Sequence, residues 1–359
     1  MKIYFYSHTL QPGGAEKQCA LLAAELKRRF GYETVILLNN GSGIKEEYLG
    51  YIKSSNVAIE VLPANFIKRN FRLYAIFRGN RDGVLFNYLT YPDFFGGFAA
   101  WAAGLRVIVG GIETDRMFGK KFWAEYVAHK CFSDVTICNS HKAFDFFAAR
   151  GFDKNRMVVL PSGIETCDLK LAKPEDDSSL GIISVGRFVR EKDYSTWVKV
   201  IAKLHALRPH VHATIIGYGP LELSVRKEIA GAHLEKVARI LPGQSTNVFA
   251  ELTKSHVYLS TSIQEGTSNT ILEGMAHGLP VVATNVGDNE YMIEDGVNGF
   301  LREPGDVDGL AKALVRLVDS HSERMKMGEQ SRRKVEASYS LDVIVRKYYD
   351  IISSCEKQL

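Results

Sequence analysis

Two kinds of apolar run alternate along the first 165 residues. Short stretches that stay apolar through successive positions, IYFYS (3–7), TVILLN (34–39), VAIEVLP (57–63), VLFNYL (84–89), RVIVG (106–110), VTIC (135–138) and MVVLP (157–161), predict strands. A strand with one wet face alternates apolar and polar residues; these do not, so they predict a parallel sheet covered on both sides. Between them lie longer segments such as AEKQCALLAAELKRRF (15–30), whose apolar residues recur at helical spacing.

The rhythm breaks over 165–179, where TCDLKLAKPEDDSS holds a proline and four acids and predicts a linker. It restarts with GIISVG (181–186), ATIIG (213–217), ARIL (238–241), VYLST (257–261) and PVVAT (280–284), separated by helix-like segments. The pattern predicts two doubly wound α/β domains, 1–168 and 169–339, followed by a helix over 340–359.

A length of 359 residues exceeds one ordinary core and agrees with two domains. With 46% hydrophobic and 24% charged residues the chain reads as globular, neither disordered nor membrane-spanning. The start MKIYFYSHTL has no charged-then-apolar leader, and no apolar run approaches a membrane helix, so a cytoplasmic protein is expected. The five cysteines form no CxxC pair and are odd in number, which argues against zinc and a disulfide framework. The net charge of +4 is unevenly spread: residues 1–165 carry 21 Lys+Arg against 15 Asp+Glu, the rest 24 against 26. A basic first half suits an anionic membrane surface or a phosphate-bearing substrate; nothing matches a nucleic-acid-binding module.

In open α/β sheets, ligands bind beyond the carboxyl ends of strands, where helix N-termini present free N–H groups. Gln11-Pro12-Gly13-Gly14-Ala15-Glu16 lies at such a place; its two glycines serve either a tight turn or the close approach of a ligand. Gly186-Arg187-Phe188-Val189-Arg190-Glu191-Lys192 puts two cations, Arg187 and Lys192, five positions apart after a strand. A guanidinium fork and a mobile ammonium suit a diphosphate, though a solvated charged turn has the same composition. In Glu265-Gly266-Thr267-Ser268-Asn269-Thr270-Ile271-Leu272-Glu273-Gly274-Met275-Ala276 two carboxylates stand eight residues apart. A helix beginning near Thr270 would leave Glu265 in the loop at its mouth and Glu273 in its first turn, both facing one ligand. The alternative is a Thr270–Glu273 capping box with Glu265 solvated. The DxD at Asp306–Asp308 opens an apolar helix and is read as an N-cap, so no metal is called for.

Taken together these motifs resemble glycosyltransferase family 4, a large retaining family of GT-B architecture, over essentially the whole chain. The E-x7-E signature matches Glu265 and Glu273, the cation pair matches Arg187 and Lys192, and the glycine turn matches Gly217-Tyr218-Gly219-Pro220. Gly278–Thr284 and Asp295–Leu301 are equally typical. The resemblance implies two Rossmann-like domains facing across a cleft, with the final helix returning to the N-terminal domain. It implies catalytic roles for Glu265, Arg187 and Lys192, with the diphosphate of a nucleotide sugar on the two cations and its ribose on Glu273. Gly13, Gly14, Gly186, Gly217, Gly219, Leu241, Gly266, Thr267, Ser268, Asn269 and Thr270 complete the implied donor site. Family frequency favours a UDP-sugar as co-substrate, with no further cofactor.

Many members carry a histidine after the fourth or fifth N-terminal strand; this chain has Gly110-Gly111-Ile112-Glu113-Thr114-Asp115-Arg116 instead. Glu113 and Arg116 are therefore candidate acceptor contacts, as is His8 after the first strand, although a lone histidine is often structural. Fifteen of the 38 aromatics fall between Phe66 and Tyr126, interleaved with cations. Segments 66–72 and 117–123 mix bulky apolar and basic residues as interfacial segments do, which suggests peripheral membrane contact and a lipid-diphosphate-linked glycan acceptor; core packing is the other reading. A sugar-nucleotide epimerase of the same architecture and a non-catalytic nucleotide-sugar-binding protein are the competing functions. A dehydrogenase is disfavoured because neither glycine turn completes G-x-G-x-x-G.

Overall fold

The computed structural model describes residues 1–11, 13–166, 179–243 and 245–357, so the expected linker lies mostly outside the described residues. The chain divides into two compact units, Met1–Gly163 with Asp342–Leu359, and Ile164–Leu341.

The first unit holds seven strands: β1 (Lys2–Ser7), β2 (Glu33–Leu38), β3 (Ala58–Val61), β4 (Val84–Asn87), β5 (Val107–Ile112), β6 (Val135–Cys138) and β7 (Met157–Val159). They form one sheet in the order β3-β2-β1-β4-β5-β6-β7, every pair parallel. The order reverses direction between β1 and β4, the place where such sheets open a crevice. The predicted strands are all present because their apolar runs meet helices on both faces: Ile3, Phe5, Ile36, Leu37, Val84 and Leu85 have no exposed surface.

The helix Gly14–Phe30 buries an unbroken run from Gln18 to Leu26 and stops at Gly31, whose φ of 71° supplies the left-handed cap. The final helix, Leu341–Lys357, belongs to this first unit. Ile344, Val345, Tyr348 and Ile352 are buried along one helical stripe, Tyr348 packs on Phe86 with ring centroids 5.3 Å apart, and Tyr349 stacks on Phe30 at 4.2 Å.

The second unit holds β8 (Leu180–Val185), β9 (Val211–Gly217), β10 (Ala238–Pro242), β11 (Val257–Ser260), β12 (Val281–Thr284) and β13 (Gly299–Arg302). Its order is β10-β9-β8-β11-β12-β13, again all parallel, with the reversal between β8 and β11. β13 carries no strand signal in the sequence because it is four residues long, opens on glycine and ends on arginine. Gly299 is there because a Cβ would lie 2.1 Å from the Val281 carbonyl oxygen.

Trp197 is fully buried in this unit, and its Nε1 donates to Ser184 Oγ at 2.7 Å. That hydroxyl donates in turn to the Leu259 carbonyl at 2.6 Å, so one polar chain ties the helix Tyr194–Leu207 to β8 and β11. The Asp306 carboxylate accepts from Gly309 N–H at 2.8 Å at the start of the helix Val307–Asp319, and Asp308 pairs with Lys203, which accounts for the DxD as a cap. Among the described residues no helix is long and apolar enough to cross a membrane.

Candidate active site

The chain leaves β8 through Gly186 and Arg187, and Phe188 turns inward to become fully buried. Phe188 N–H donates to the Tyr218 carbonyl at 2.9 Å and Leu221 N–H donates to the Phe188 carbonyl at 3.0 Å, so the loops after β8 and β9 are clasped together. The clasp explains two of the glycines: a Cβ on Gly217 would lie 2.0 Å from the Gly186 carbonyl oxygen, and one on Gly219 would lie 2.7 Å from Phe188 N and O. Gly217 and Gly219 therefore serve the close approach of two chain segments. Leu241 stands at the end of β10, and the Gly243 N–H that follows donates to the Gly217 carbonyl at 2.8 Å.

A single 3-10 turn, Arg190–Lys192, brings Lys192 back over the sheet. Its ammonium pairs with the Glu265 carboxylate from the loop after β11, with Lys192 19% and Glu265 12% exposed. Ser262 Oγ donates to the same carboxylate oxygen at 2.7 Å. Two further bonds stitch the loops: Thr261 Oγ1 donates to the Asp193 carbonyl at 3.0 Å, and Ile263 N–H donates to the Glu191 carbonyl at 2.8 Å. Lys192 and Glu265 thus meet across the β8/β11 reversal, where an open α/β sheet presents its ligand crevice. Arg187 follows Gly186, where a Cβ would lie 3.2 Å from Lys192 Cε; it is exposed and pairs with no carboxylate among the described residues.

The loop after Glu265 is held from β12. Asp288 N–H donates to the Gly266 carbonyl at 3.1 Å, and Thr267 Oγ1 donates to the Asp288 carboxylate at 3.2 Å. Gly287 has φ of 56°, and a Cβ there would lie 2.3 Å from the Glu265 carbonyl oxygen. The following helix is Asn269–Ala276, and Ser268 is its N-cap residue without a side-chain cap bond. This corrects two expectations: Glu273 falls in the second helical turn, and Thr270 lies inside the helix, so Thr270 and Glu273 form no capping box. The Asn269 Oδ1 is buried with no partner among the described residues. Gly274 lets the helix lie on Tyr258, whose ring would be 2.6 Å from a Cβ, and Tyr258 Oη donates to the Val185 carbonyl at 3.2 Å. Burial raises the Tyr258 phenol far out of the titrating range.

In the first unit, His8 follows β1, is exposed, and its Nδ1 lies 3.2 Å from Asn39 Nδ2. Gly13 is extended with φ of −173°; its N–H and C=O both engage the Tyr48 hydroxyl, at 3.3 and 3.0 Å, and Gly14 opens the helix. Glu113 follows β5 and accepts from Asn139 Nδ2 at 3.2 Å. Burial raises its carboxyl from 4.5 to about 7; Asn139 opposes the shift and Glu16 adds to it. Arg116 is 66% exposed with Asp115 at 3.9 Å. His8 and Glu113 share the carboxyl edge of one sheet.

The family models match the chain consecutively. Glycosyltransferase Family 4 matches residues 12–167, and Glycosyl transferases group 1 matches residues 169–334. The chain belongs to glycosyltransferase family 4. Among curated relatives of this glycosyltransferase is the lipopolysaccharide core biosynthesis glycosyltransferase LpsE of Rhizobium meliloti, 24% identical over 99% of both chains. Another is the UDP-Gal:alpha-D-GlcNAc-diphosphoundecaprenol alpha-1,3-galactosyltransferase of Escherichia coli, 23% identical over 78% of this chain and 77% of that one. The GT-B fold is shared with HepE from Anabaena, crystallised with UDP and glucose: TM-score 0.84, 18% identity, 99% of this chain and 100% of that chain.

Sequence reasoning missed the supports of the glycosyltransferase site. Ser262 stands three residues before Glu265, and Gly287-Asp288 lies about twenty residues after it. Only the return of β12 to β11 brings Asp288 under the loop. A buried carboxyl pair was also missed: Asp93 and Glu125 hydrogen-bond to each other beside two π-helical turns, Pro92–Gly96 and Ala128–Phe132. Burial raises both, Glu125 to about 7.

Proposed function

We propose that this glycosyltransferase moves a hexose or N-acetylhexosamine from a UDP-sugar to a lipid-diphosphate-linked glycan with retention of anomeric configuration, in surface-polysaccharide assembly. The observation that carries the reading is the Lys192–Glu265 pair across the β8/β11 reversal, with Arg187 open beside it. Arg187 and Lys192 hold the donor diphosphate, Glu273 takes the ribose, and the loop Gly266–Thr270 lines the sugar and phosphates. The names of LpsE and of the diphosphoundecaprenol galactosyltransferase support the acceptor class, and the UDP complexes of HepE support the base.

The reaction runs by front-face displacement. The bond from the anomeric carbon to the UDP oxygen breaks as the acceptor hydroxyl forms its bond on the same face, and a departing phosphate oxygen takes the hydroxyl proton. The two cations stabilise the charge that builds on UDP, where fixed, partly desolvated charge is most effective. They supply the neutralisation that a metal would otherwise bring. Glu265, tied to Lys192 and Ser262, orients the sugar and does not attack. His8, Glu113 and Arg116 contact the acceptor. The enzyme works at the anionic inner face of the cell membrane.

The test is incubation with a panel of UDP-sugars and a polyprenyl-diphosphate glycan, with the product's anomeric configuration read by NMR. Retained configuration, with no glycosyl adduct trapped on Glu265 of the wild-type enzyme, is the expected result. An inverted product or a covalent adduct on Glu265 overturns the mechanism. Free epimer made without acceptor would make the protein an epimerase.

A further inference from the structure

We propose that three helices of the first unit, Phe66–Arg78, Gly97–Ala103 and Gly119–Val127, form one docking face for an anionic lipid bilayer, with Phe71, Trp101 and Trp123 as its inserted rings. The inference rests on the reading of the enzyme as one that meets its acceptor at a membrane.

The helix Phe66–Arg78 buries Leu73 and Phe77 completely. A helix with one face committed to the core is ordinarily polar elsewhere. This one carries a second apolar stripe, Ile67, Phe71 and Tyr74, at i, i+4 and i+7, and Phe71 is 70% exposed. Gly97–Ala103 exposes Phe98 and Trp101 at i and i+3, and Trp101 is 57% exposed. Gly119–Val127 exposes Trp123, 62%, with Lys120 three residues before it and Phe118 at its mouth.

The stripes adjoin. Phe66 meets Phe95 at 5.0 Å, Phe95 meets Phe94 at 5.1 Å, and Phe94 meets Phe132 at 5.9 Å. Phe132 also meets Phe98 at 5.6 Å and Trp101 at 5.9 Å, and it closes the π-helical turn that continues the helix bearing Trp123. One chain of rings therefore joins the helices Phe66–Arg78 and Gly97–Ala103 and reaches the π-helical turn that continues Gly119–Val127.

Charge selects the partner. Residues 66–132 hold ten Lys+Arg against five acids, and Asp93 and Glu125 among those acids are buried. Lys68, Arg72, Lys120, Lys121 and Lys130 are all exposed there. Protein interfaces are depleted in lysine at their centres, whereas a bilayer interface takes aromatic rings at the headgroup level and lysines toward anionic phosphates.

The chain carries its own reporters: of its three tryptophans, Trp197 is fully buried in the second unit and the other two lie on this face. Adding phosphatidylglycerol/phosphatidylcholine vesicles at about 50 mM salt should shift tryptophan emission to the blue, permit quenching by brominated lipid, and sediment the protein; pure phosphatidylcholine should do little. The combined Phe71→Ser, Trp101→Ser, Trp123→Ser variant, and separately Lys120→Glu with Lys121→Glu, should lower vesicle affinity about tenfold or more. Both variants should keep transfer to a water-soluble acceptor analogue, which separates failure of this inference from failure of the functional reading. Wild-type protein that stays in the supernatant with unmoved emission overturns the proposal. So does a triple-serine variant that binds like wild type, or a wild type that self-associates through this face and ignores vesicles.

Discussion

Replacing Glu113 by glutamine should make the protein more stable at pH 8 than wild type, and leave the two nearly equal at pH 4. Below pH 4.5 the carboxyl is protonated whether the chain is folded or unfolded. Between 4.5 and about 7 the unfolded chain releases a proton that the folded chain keeps, so wild-type stability falls as pH rises; above that window both are ionised and the deficit is constant. At about 1.4 kcal/mol per tenfold change in proton affinity, moving the carboxyl from 4.5 to about 7 corresponds to about 3 kcal/mol. That is an upper limit, because Glu113 retains some contact with water. Glutamine keeps an oxygen for Asn139 Nδ2 and cannot ionise. Asp93 and Glu125 titrate as a background shared by both proteins. Calorimetry at pH 5 and pH 8 reads the difference: the variant should gain up to roughly 5 °C over wild type between the two. Parallel pH dependences would refute the assignment of a raised carboxyl at this position.

Three substitutions examine the other links. Lys192→Ala removes the charge that pairs with Glu265 and should lower turnover by about 10² or more; near-normal turnover would remove Lys192 from the reaction. Gly287→Val places a Cβ against the Glu265 carbonyl in a left-handed backbone and should weaken UDP affinity and turnover together, while Gly296→Ala, at φ of 79° with open space around it, should affect stability alone. Ile352→Ala empties a fully buried position on the final helix and should destabilise the first unit by about 2–5 kcal/mol, lowering a calorimetric transition that UDP does not shift. A single transition, shifted by UDP and by the substitution alike, would contradict the division into units.

The sheets were legible because most of the thirteen strands are apolar at successive positions, a pattern that suits a covered parallel sheet, although the edge strands β3 and β10 expose Val61 and Arg239. β13 escaped since four residues bounded by glycine and arginine carry too little pattern. The cation pair and Glu265 were legible because strand-end position and residue type coincide, but the sequence could not say that Lys192 pairs with Glu265 across 73 positions. Gly217 and Gly219 look like ligand-facing glycines in the sequence, yet both are required by the clasp around Phe188. Phe188 itself reads as one apolar residue in a charged turn. The basic aromatic segments 66–72 and 117–123 were visible as composition. That Leu73 and Phe77 go inward while Ile67 and Phe71 go outward follows only once the helix is packed. Gly97–Ala103 gave no signal, since its outward apolar face consists of two exposed rings among alanines.

The most direct test of the donor clamp is calorimetric titration of wild type and the Arg187→Ala, Lys192→Ala double variant with UDP and with uridine. The account predicts that UDP affinity falls about tenfold or more in the variant while the weaker affinity for uridine is unchanged, because the lost groups meet only the diphosphate. Equal UDP affinity in the two proteins, or an equal loss for uridine, would contradict it.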